Sequence, residues 1–430
     1  MIRWLYQIVV YLLAPVVCSV LVARGFRDRS YWANFRQRFG FGEYGSGGAI
    51  WVHAVSVGEV QAAAALVSAL RLCYPTIPLT LTTVTPTGAT RARALFPQGV
   101  DVRFIPWDLP GSVRRYFDRI RPRIAIILET ELWPNLYHEC GLRKVPLVLA
   151  SARISPRSLH RYRRLATLFS ETLSHGIVIA AQSTGDAERF RSIGANPAKT
   201  HVIGNIKFDI ELPADIFEQG AILRAQYGVD KNFMWVAGST HEGEEDIVLA
   251  AQMSLQQSGV RSLLVIAPRH PTHFAHTLAS LKAANLAFVR RSSGEVANAQ
   301  TQVLLLDTLG DLLAFYAAAD VAFVGGSLVP IGGHNLLEPS SLGRPSLTGP
   351  FVFNAQEIAE KLISAGAVEQ VIDAPSMSAA LQRLVSDPLE CVRRGTLAQA
   401  LVESNRGTLQ RLLALIAPVI AAWSSPSTKR

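Results

Sequence analysis

Short apolar runs rich in β-branched residues alternate with helical stretches along almost the whole chain, and this alternation constrains the fold more than any other feature. Continuous apolar runs of strand length, separated by helices, predict parallel strands that are covered on both faces. Two such sets predict an α/β protein with two doubly wound domains. The predicted strands are 49–54, 78–84, 101–106, 124–128, 146–150 and 177–181 in the first half, and 234–237, 262–267, 288–290, 303–306 and 321–324 in the second.

The chain has 430 residues, which is too long for one ordinary core. We expect an N-terminal segment at 1–30, a first domain at 31–212 and a second domain at 213–423. Pro213 and mixed polar residues interrupt the pattern near this boundary. We also predict an apolar helix at 408–423, which could pack back on the first domain. Because ligands bind at the carboxyl ends of strands in such domains, we expect one shared cleft.

The formal net charge of +9 favours anionic partners, such as nucleotides, phosphorylated lipids or an anionic membrane surface. The sequence lacks the aromatic–basic interleaving, zinc spacing and RNP-like motif of nucleic-acid binding, so we expect no nucleic-acid partner. Four cysteines without paired spacing argue for a reducing compartment and against a disulfide frame or a zinc site. They are Cys18, Cys73, Cys140 and Cys391.

Residues 8–22 are almost wholly apolar, with Pro15 among them. Segment 19–23 is a poor signal-peptide cleavage site, and the apolar stretch comes near the length of a membrane-spanning helix. We therefore expect an N-terminal anchor or a monotopic insertion, with a buried core helix as the alternative. The arginines that follow would hold the body of the protein in the cytoplasm; they are Arg24, Arg27, Arg29, Arg36 and Arg38.

Segment 324–339 contains two glycine pairs between a predicted strand and a helix that is predicted to open near Asn335. Glycine lets a backbone approach a ligand closely, and a helix N-terminus offers unpaired N–H groups to a phosphate. Glu338, one turn into the helix, could accept hydrogen bonds from sugar hydroxyls. The segment predicts a nucleotide or nucleotide-sugar site; the alternative is a tight turn with a solvated glutamate.

Charged side chains also follow the strands of the first half. Glu59 would lie in the first turn of a helix, either as a general base or as a partner of the helix dipole. Glu129 and Glu131 stand together at a strand end, and we expect at least one to cap a helix or bind an arginine such as Arg153. Lys207 could reach a phosphate or carboxylate as a point charge, or it could be solvated.

Two further loops of the second half carry candidate ligands. Prolines on both sides of Arg269 and His270 would aim the arginine at a phosphate or carboxylate, whereas a lone histidine is no evidence of a metal site. Segment 307–311 could bind a base or phosphate through its backbone N–H groups, or simply cap a helix. The glycine spacing is not a Rossmann fingerprint and no Walker lysine follows, so neither NAD nor ATP is predicted. No Asp-x-Asp motif stands near a strand end, which agrees with a site without metal.

Taken together, these motifs resemble those of the 3-deoxy-D-manno-octulosonic acid (Kdo) transferases of bacterial lipopolysaccharide assembly. The resemblance covers almost the whole chain and rests on segments 53–59, 85–88, 129–135, 151–153, 207–209, 239–245, 268–270 and 325–338. It implies a GT-B glycosyltransferase with two Rossmann-like domains facing a cleft, the first binding the acceptor and the second the CMP-sugar. It also implies an anchor at the cytoplasmic face of the inner membrane. Pro330 and Pro339 are departures that displace no polar residue.

The resemblance implies transfer of Kdo from CMP-Kdo to the 6′-hydroxyl of a lipid A precursor, lipid IVA, with inversion and without a cofactor or metal. Inner-membrane phospholipid would be a further partner. By this resemblance Glu59 is the general base, and Glu129 and Lys207 stabilise the transition state. The implied CMP-binding positions are Pro268, Arg269, Leu309, Gly310, Asp311, Asn335, Leu336, Leu337 and Glu338, with Gly326, Ser327, Gly333 and His334 as additional candidates.

Two other interpretations of the sequence stay open. One is a different membrane-associated GT-B transferase or a nucleotide-sugar epimerase, which would act on a UDP-sugar without an acceptor and would need no lipid anchor. The other is a membrane adaptor that binds nucleotide but turns nothing over. The N-terminal apolar segment and the full set of polar residues at strand ends count against both.

Overall fold

The computed structural model describes residues 2–42, 47–174, 176–229, 232–295, 297–298 and 300–424. The chain divides into two compact units. The first unit runs to Asp209 and resumes at Arg406, and the second is Ile210–Asn405. Each unit is built on a parallel sheet with helices in the connections, so the prediction of two doubly wound α/β domains is confirmed.

In the described part of the first unit the sheet has seven parallel strands in the order β3-β2-β1-β4-β5-β6-β7. They are β1 (Ile50–His53), β2 (Leu79–Thr83), β3 (Asp101–Phe104), β4 (Ile124–Leu128), β5 (Leu147–Ala152), β6 (Val178–Ala181) and β7 (Thr200–Val202). The central strands β1 and β4 are buried along their whole length, because helices cover both faces of the sheet.

The helices of the first unit are α1 (Ile2–Arg27), α2 (Val57–Cys73), α3 (Pro86–Leu95), α4 (Pro110–Ile120), α5 (Pro134–Leu142), α6 (Pro156–Arg164), α7 (Ala166–Ser174), α8 (Thr184–Ser192) and, near the end of the chain, α17 (Thr408–Ser424). Helix α17 packs into the core beneath α2 through Leu412, Ile416 and Ile420. The Asp209 carboxylate accepts the N–H groups of Gly407 and Leu409 at the start of α17. The C-terminal helix therefore belongs to the first unit.

The described part of the second unit also has seven parallel strands, in the order β10-β11-β9-β8-β12-β13-β14. They are β8 (Phe233–Thr240), β9 (Ser262–Pro268), β10 (Phe288–Arg290), β11 (Val303–Leu305), β12 (Val321–Val324), β13 (Ser346–Thr348) and β14 (Val368–Gln370). Its helices are α9 (Ile216–Gln226), α10 (Glu245–Gln257), α11 (Phe274–Ala283), α12 (Leu312–Ala318), α13 (Leu337–Ser341), α14 (Gln356–Ser364), α15 (Ala374–Ser386) and α16 (Pro388–Asn405).

Three strands, β7, β13 and β14, were not predicted from the sequence. Each has only three residues and contains polar side chains. Such segments carry no apolar run long enough to indicate a strand, and pairing with β6 or β12 decides their conformation. Strand β14 then pairs with β13 at the edge of its sheet.

Helix α1 is long and apolar enough to cross a membrane, and its apolar side chains are largely exposed. Near its N-terminus the Tyr6 hydroxyl donates to Asp108 and the Gln7 amide donates to Asn135. At its other end the Trp32 indole donates to the Val22 carbonyl. The N-terminal part of α1 is therefore bonded to the body of the first unit, and its C-terminal part is bonded to the turn that follows it.

The flanking arginines are not all at the surface. The guanidinium of Arg38 is buried, lies 4.2 Å from the centre of the Phe104 ring and donates to the Val84 carbonyl. Burial lowers the pKa of Arg38 to about 10. Arg24, Arg27 and Arg29 are exposed. Arg38 therefore lies inside the first unit, whereas these three arginines lie at its surface.

Candidate active site

The strand order of the first sheet reverses between β1 and β4, which are hydrogen-bonded neighbours with His53 opposite Ile127. In open α/β sheets, ligands bind outside the carboxyl ends of the strands at such a switch point. Glu59 follows β1 and Glu129 follows β4. Two of the predicted residues thus lie at the place where this fold forms a crevice.

Glu59 lies in the first turn of α2, which Ser56 caps through a hydrogen bond from the Glu59 N–H to the serine hydroxyl. The Glu59 carboxylate accepts the Val55 N–H at 2.9 Å and the Ser56 hydroxyl at 3.3 Å. Its capping contacts are therefore real. Burial, with a smaller contribution from the Glu129 charge, nevertheless raises the pKa of Glu59 to about 7. A carboxylate with that pKa can take up a proton from a substrate near neutral pH.

Glu129 is held on both sides by cations of the same unit. Its carboxylate lies 2.7 Å from the Lys207 ammonium and 3.7 Å from Nε of Arg153, so the predicted arginine contact is present. The backbone of Glu129 has φ 58, a left-handed conformation that costs a non-glycine residue about 1–3 kcal/mol and tends to occur at functional sites. The ion pairs fix the direction of this carboxylate.

Lys207 lies in a short 3₁₀ turn, Ile206–Phe208, that two side chains hold in place. The Asn205 side chain accepts the Lys207 N–H, and the Ser151 hydroxyl accepts the Ile206 N–H at 2.9 Å. Ser151 is also left-handed, with φ 49. Lys207 is thus directed at Glu129 and is not merely solvated.

Glu131 differs from Glu129 in its partner. Its carboxylate accepts the indole N–H of Trp133 at 2.6 Å, and burial raises its pKa. The edge of the Trp133 ring meets the ring of His53, which is fully buried. Glu131 and Trp133 therefore form a less polar wall beside the charged pair.

The second sheet also reverses its strand order, here between the hydrogen-bonded neighbours β8 and β12. Glu244, which follows β8, is fully buried. Its carboxylate accepts four backbone N–H groups, from His241, Gly326, Ser327 and Leu328, at 2.7–3.0 Å. The backbone N–H groups of Gly326, Ser327 and Leu328 are therefore occupied by the protein's own carboxylate.

Packing explains the first glycine pair. A Cβ on Gly325 would lie 2.6 Å from the Ser239 carbonyl oxygen and 2.9 Å from a carboxylate oxygen of Glu244. Gly326 has φ +69, and a Cβ there would lie 2.8 Å from the His334 ring. Ser327 is fully buried; its hydroxyl donates to the Val324 carbonyl and accepts the N–H of Gly349. Gly326 and Ser327 thus pack against protein atoms, and their contact with a ligand stays a prediction.

The second glycine pair leads into a short element. Gly333 has φ +75, and α13 begins only at Leu337 and has five residues, which is less than the helix predicted from Asn335. Leu336 and Leu337 are buried, and the Leu337 N–H donates to the Asn335 side chain. The Asn335 amide donates to Glu338, whose pKa burial raises. Glu338 is thus held in place rather than solvated.

The other predicted positions lie on neighbouring loops at the same edge of the sheet. Pro268 ends β9, and Arg269 after it has an exposed side chain and an N–H that donates to Thr240. Leu309 and Gly310 are exposed after β11. Asp311 accepts hydrogen bonds from Thr308 at 2.7 Å and Arg291 at 3.3 Å.

Histidines form a cluster that the sequence analysis did not assign. The rings of His241 and His334 are nearly parallel, with an interplanar angle of 6° and centroids 5.1 Å apart, and their Nε2 atoms face each other at 2.8 Å. His270 and His273 lie edge-on to His241 at 5.8 and 6.2 Å. The signal available in the sequence is that His241, His270 and His334 follow three different strands. Among the described residues, no group of three or more His, Cys, Asp or Glu side chains is arranged to hold a metal ion.

Comparison with known proteins identifies the family. Residues 33–210 match the family model described as 3-deoxy-D-manno-octulosonic-acid transferase (kdotransferase). The chain is 37% identical over 424 residues to the 3-deoxy-D-manno-octulosonic acid transferase of Haemophilus influenzae, covering 97% of this chain and 99% of the relative. It is 35% identical over 429 residues to that of Bordetella pertussis, covering 96% and 98%.

Among solved structures, the crystal structure of MurG from Acinetobacter baumannii matches with a TM-score of 0.56 and 14% identity, over 87% of this chain and 100% of that one. At that identity the likeness supports the GT-B fold alone. The relatives from Haemophilus and Bordetella match over nearly their full length. The chain therefore belongs to the 3-deoxy-D-manno-octulosonic acid transferases, the GT-B glycosyltransferases of lipopolysaccharide biosynthesis.

Proposed function

We propose that this protein is an inverting transferase that moves Kdo from CMP-Kdo to the 6′-hydroxyl of a lipid A precursor, lipid IVA. The observation that carries the proposal is the Glu59 carboxylate, whose pKa is raised to about 7, at the switch point that also holds the Glu129–Lys207 pair. Transfer to a hydroxyl needs a base there, because an alcohol is a poor nucleophile until its proton is removed.

In the proposed reaction, the acceptor hydroxyl gives its proton to Glu59 as its oxygen attacks the anomeric carbon. Attack by one oxygen opposite the departing phosphate inverts that carbon. The Glu129 carboxylate is fixed by Lys207 and Arg153. It would stabilise the positive charge that develops on the sugar ring, while Lys207 would hold the acidic group of the donor sugar. Pre-organised ion pairs suit this role because they need no reorganisation during the step.

In the second unit, the CMP moiety would be bound by the loops after β9, β11 and β12. The exposed guanidinium of Arg269 suits the phosphate, and the exposed backbone at Leu309 and Gly310 suits the base. Glu338, oriented by Asn335 at 3.1 Å, suits a ribose hydroxyl. Arg269 would then stabilise the negative charge that grows on the phosphate as CMP departs.

The apolar face of α1 and basic side chains of the same unit support a place at the cytoplasmic face of the inner membrane. The N-terminal part of α1 bonds to Asp108 and Asn135 of the folded body. A helix whose N-terminal part bonds to the same body that follows its C-terminus would lie in the interface rather than cross the bilayer. Arg161, Arg163 and Arg164 on α6 are exposed and suit anionic headgroups.

A shallow pocket near the start of α2 supports binding of a phosphorylated acceptor. Asp28, Ser30, Val57, Pro86, Thr87, Thr90, Arg91 and Ala94 line it. The Arg91 guanidinium is oriented by two hydrogen bonds to the Gln61 side chain. Arginine at a pocket wall suits a phosphate of the lipid head group, and Val57 lies only two residues before Glu59.

The proposal is tested by incubating the full chain in detergent with CMP-Kdo and lipid IVA and weighing the lipid products by mass spectrometry. We expect the acceptor mass to rise by whole Kdo residues and the new linkage, examined by NMR, to be inverted relative to the donor. UDP-sugars offered with the same acceptor should give no product. Nucleotide binding without any new lipid would instead support the adaptor interpretation and sink the proposed transfer.

A further inference from the structure

The proposed function assigns no role to the histidine cluster of the second unit. His241 follows β8, His270 and His273 follow β9, and His334 lies in the glycine turn after β12. Burial lowers the pKa of His241, His270 and His334, and the charge of Arg269 beside them lowers it further. A concentration of protonatable rings around one exposed arginine is the arrangement that receives a phosphate.

The His241–His334 pair can bind only one extra proton. Its two Nε2 atoms are 2.8 Å apart, so one ring must donate and the other accept in the hydrogen bond between them. If both rings carried two protons, two N–H groups would face each other at that distance. The pair therefore has two states, neutral and singly protonated, in which the same contact is kept.

Glu244 and Gly326 hold the two rings in this position. The same carboxylate oxygen of Glu244 accepts the N–H of His241 at 2.9 Å and that of Gly326 at 2.7 Å. The His334 ring lies against Gly326, where a Cβ would come within 2.9 Å of its Nε2. This explains why a glycine stands at 326 and why a buried carboxylate ties the two loops together.

The groups that face the pair keep it neutral when no anion is bound. Burial is the main cause that lowers the pKa of His241 and that of His334, the latter to about 4, and Arg269 and His270 lower both further. His273 adds to this effect on His241. The Glu244 carboxylate is taken up by four backbone N–H groups, and that of Glu338 accepts a hydrogen bond from Asn335. A bound phosphate would add the opposing negative charge and raise both pKa values.

We propose that the His241–His334 pair takes up one proton when the nucleotide phosphate binds and gives that proton to the phosphate oxygen that leaves the sugar. The inference rests on the proposed function. The bond between the anomeric carbon and that oxygen breaks, the electron pair stays on oxygen, and an O–H bond forms with the proton from the pair. After CMP departs, the pair remains neutral until the next nucleotide draws a proton from water, and Glu59 releases the acceptor's proton to water.

The test is proton uptake on CMP binding, measured with the full chain by calorimetry at pH 7.5 in two buffers of different ionisation enthalpy. Free CMP is almost fully dianionic at this pH, because its second pKa is about 6. We expect the uptake to approach one proton per bound CMP. Cytidine, which lacks the phosphate, should cause no uptake.

His334→Asn and His241→Asn should each reduce the uptake by more than half, and His276→Asn is the matched control because His276 is an exposed histidine of α11. If both pair variants still bind CMP and take up as many protons as the wild type, the inference is overturned but the assignment of the CMP site is not. A wild-type chain that binds no CMP would instead refute the nucleotide assignment of the proposed function. Should either variant unfold, the other decides, and an uptake near zero in the wild type overturns the inference without any variant.

Discussion

The Lys207 ammonium lies 2.7 Å from a carboxylate oxygen of Glu129, although 78 residues separate the two along the chain. Both charges act on Glu59: the carboxylate of Glu129 raises its pKa and the ammonium of Lys207 lowers it. The Glu129–Lys207 pair therefore does more than position two side chains. Burial is the main cause of the raised pKa of Glu59, and the charges of the pair adjust that pKa further.

Removing the carboxylate of Glu59 should abolish transfer while leaving the fold and nucleotide binding intact. We expect Glu59→Gln to lower kcat by a factor of about 10²–10⁴, the usual contribution of general base catalysis. Glu188→Gln is the control, because Glu188 is an exposed glutamate of the same unit. Transfer rates, CMP affinity and a melting curve are compared for both. Near-normal transfer in Glu59→Gln would refute the base assignment.

The pH dependence of kcat/KM should reveal the neighbours of Glu59. The proposed base works when ionised, so kcat/KM for the acceptor, measured with saturating CMP-Kdo, should rise with pH through about 7 and level off above it. Glu129→Gln removes a negative charge that raises the pKa of Glu59, so the remaining kcat/KM should begin to rise at a lower pH than in the wild type. Lys207→Met removes a positive charge that lowers the pKa of Glu59, so kcat/KM of this variant should rise at a higher pH than in the wild type. Lys199→Met, at an exposed lysine, should leave the profile unmoved; shifts in the same direction for both site variants would contradict the arrangement.

Glu59 should also make the protein less stable as the pH rises. Its pKa in the folded state, about 7, exceeds the ordinary 4.5, so the folded state binds the proton more tightly than the unfolded state. Ionised Glu59 therefore lowers the free energy of unfolding. This loss is absent below the unfolded-state pKa, grows between the two pKa values and is complete above about pH 7. The two values correspond to about 3 kcal/mol. Glu59→Gln should therefore raise the free energy of unfolding at pH 8 and change it little at pH 4.5, measured by urea titration. An equal effect at both pH values would argue against a buried Glu59 carboxyl group with a raised pKa.

The buried carboxylate of Glu244 should be essential for the glycine turn. Glu244→Gln leaves one oxygen for the four backbone N–H groups that the carboxylate now accepts. We expect a loss of at least about 2 kcal/mol in unfolding free energy and a weaker affinity for CMP, since the turn also carries His334 and Asn335. Glu242→Gln, at an exposed neighbour, should stay within about 0.5 kcal/mol. Equal behaviour of the two variants would show that Glu244 does not hold the turn.

The two ends of α1 should be reached from the same side of the membrane. Cysteines are introduced one at a time at Ile2 and Arg27, in a background where Cys18, Cys73 and Cys391 are changed to serine and only the buried Cys140 is kept. Each variant is treated with a membrane-impermeant thiol reagent in sealed vesicles. We expect both to be labelled from the side that carries the folded units, because Tyr6 bonds the N-terminal part of α1 to the same body that follows its other end. Labelling from opposite sides would show that the helix spans the bilayer.

The sequence was informative wherever neighbouring residues carry the signal. A buried parallel strand such as β4 is a continuous apolar run, and a capped helix start such as Ser56 to Glu59 is local, so both could be predicted without a structure. Strands as short as β13 could not, because their conformation depends on the partner strand. The contact between Gly326 and Glu244 could not be predicted for a related reason: the glycine spacing is the same whether the backbone faces a ligand or this carboxylate.

The sequence by itself determined the two α/β domains, the apolar N-terminal helix and which charged residues stand at strand ends. Only the tertiary structure decided which of them meet. Strand order brings β1 beside β4 and β8 beside β12, and no local pattern encodes that order. This order places Glu59 near the Glu129 charge and pairs Glu129 with Lys207. It also brings the N–H of Gly326 to the Glu244 carboxylate and places Nε2 of His241 against that of His334. The pKa of the proposed base depends on these long-range contacts, because burial and charge act through space and not along the chain.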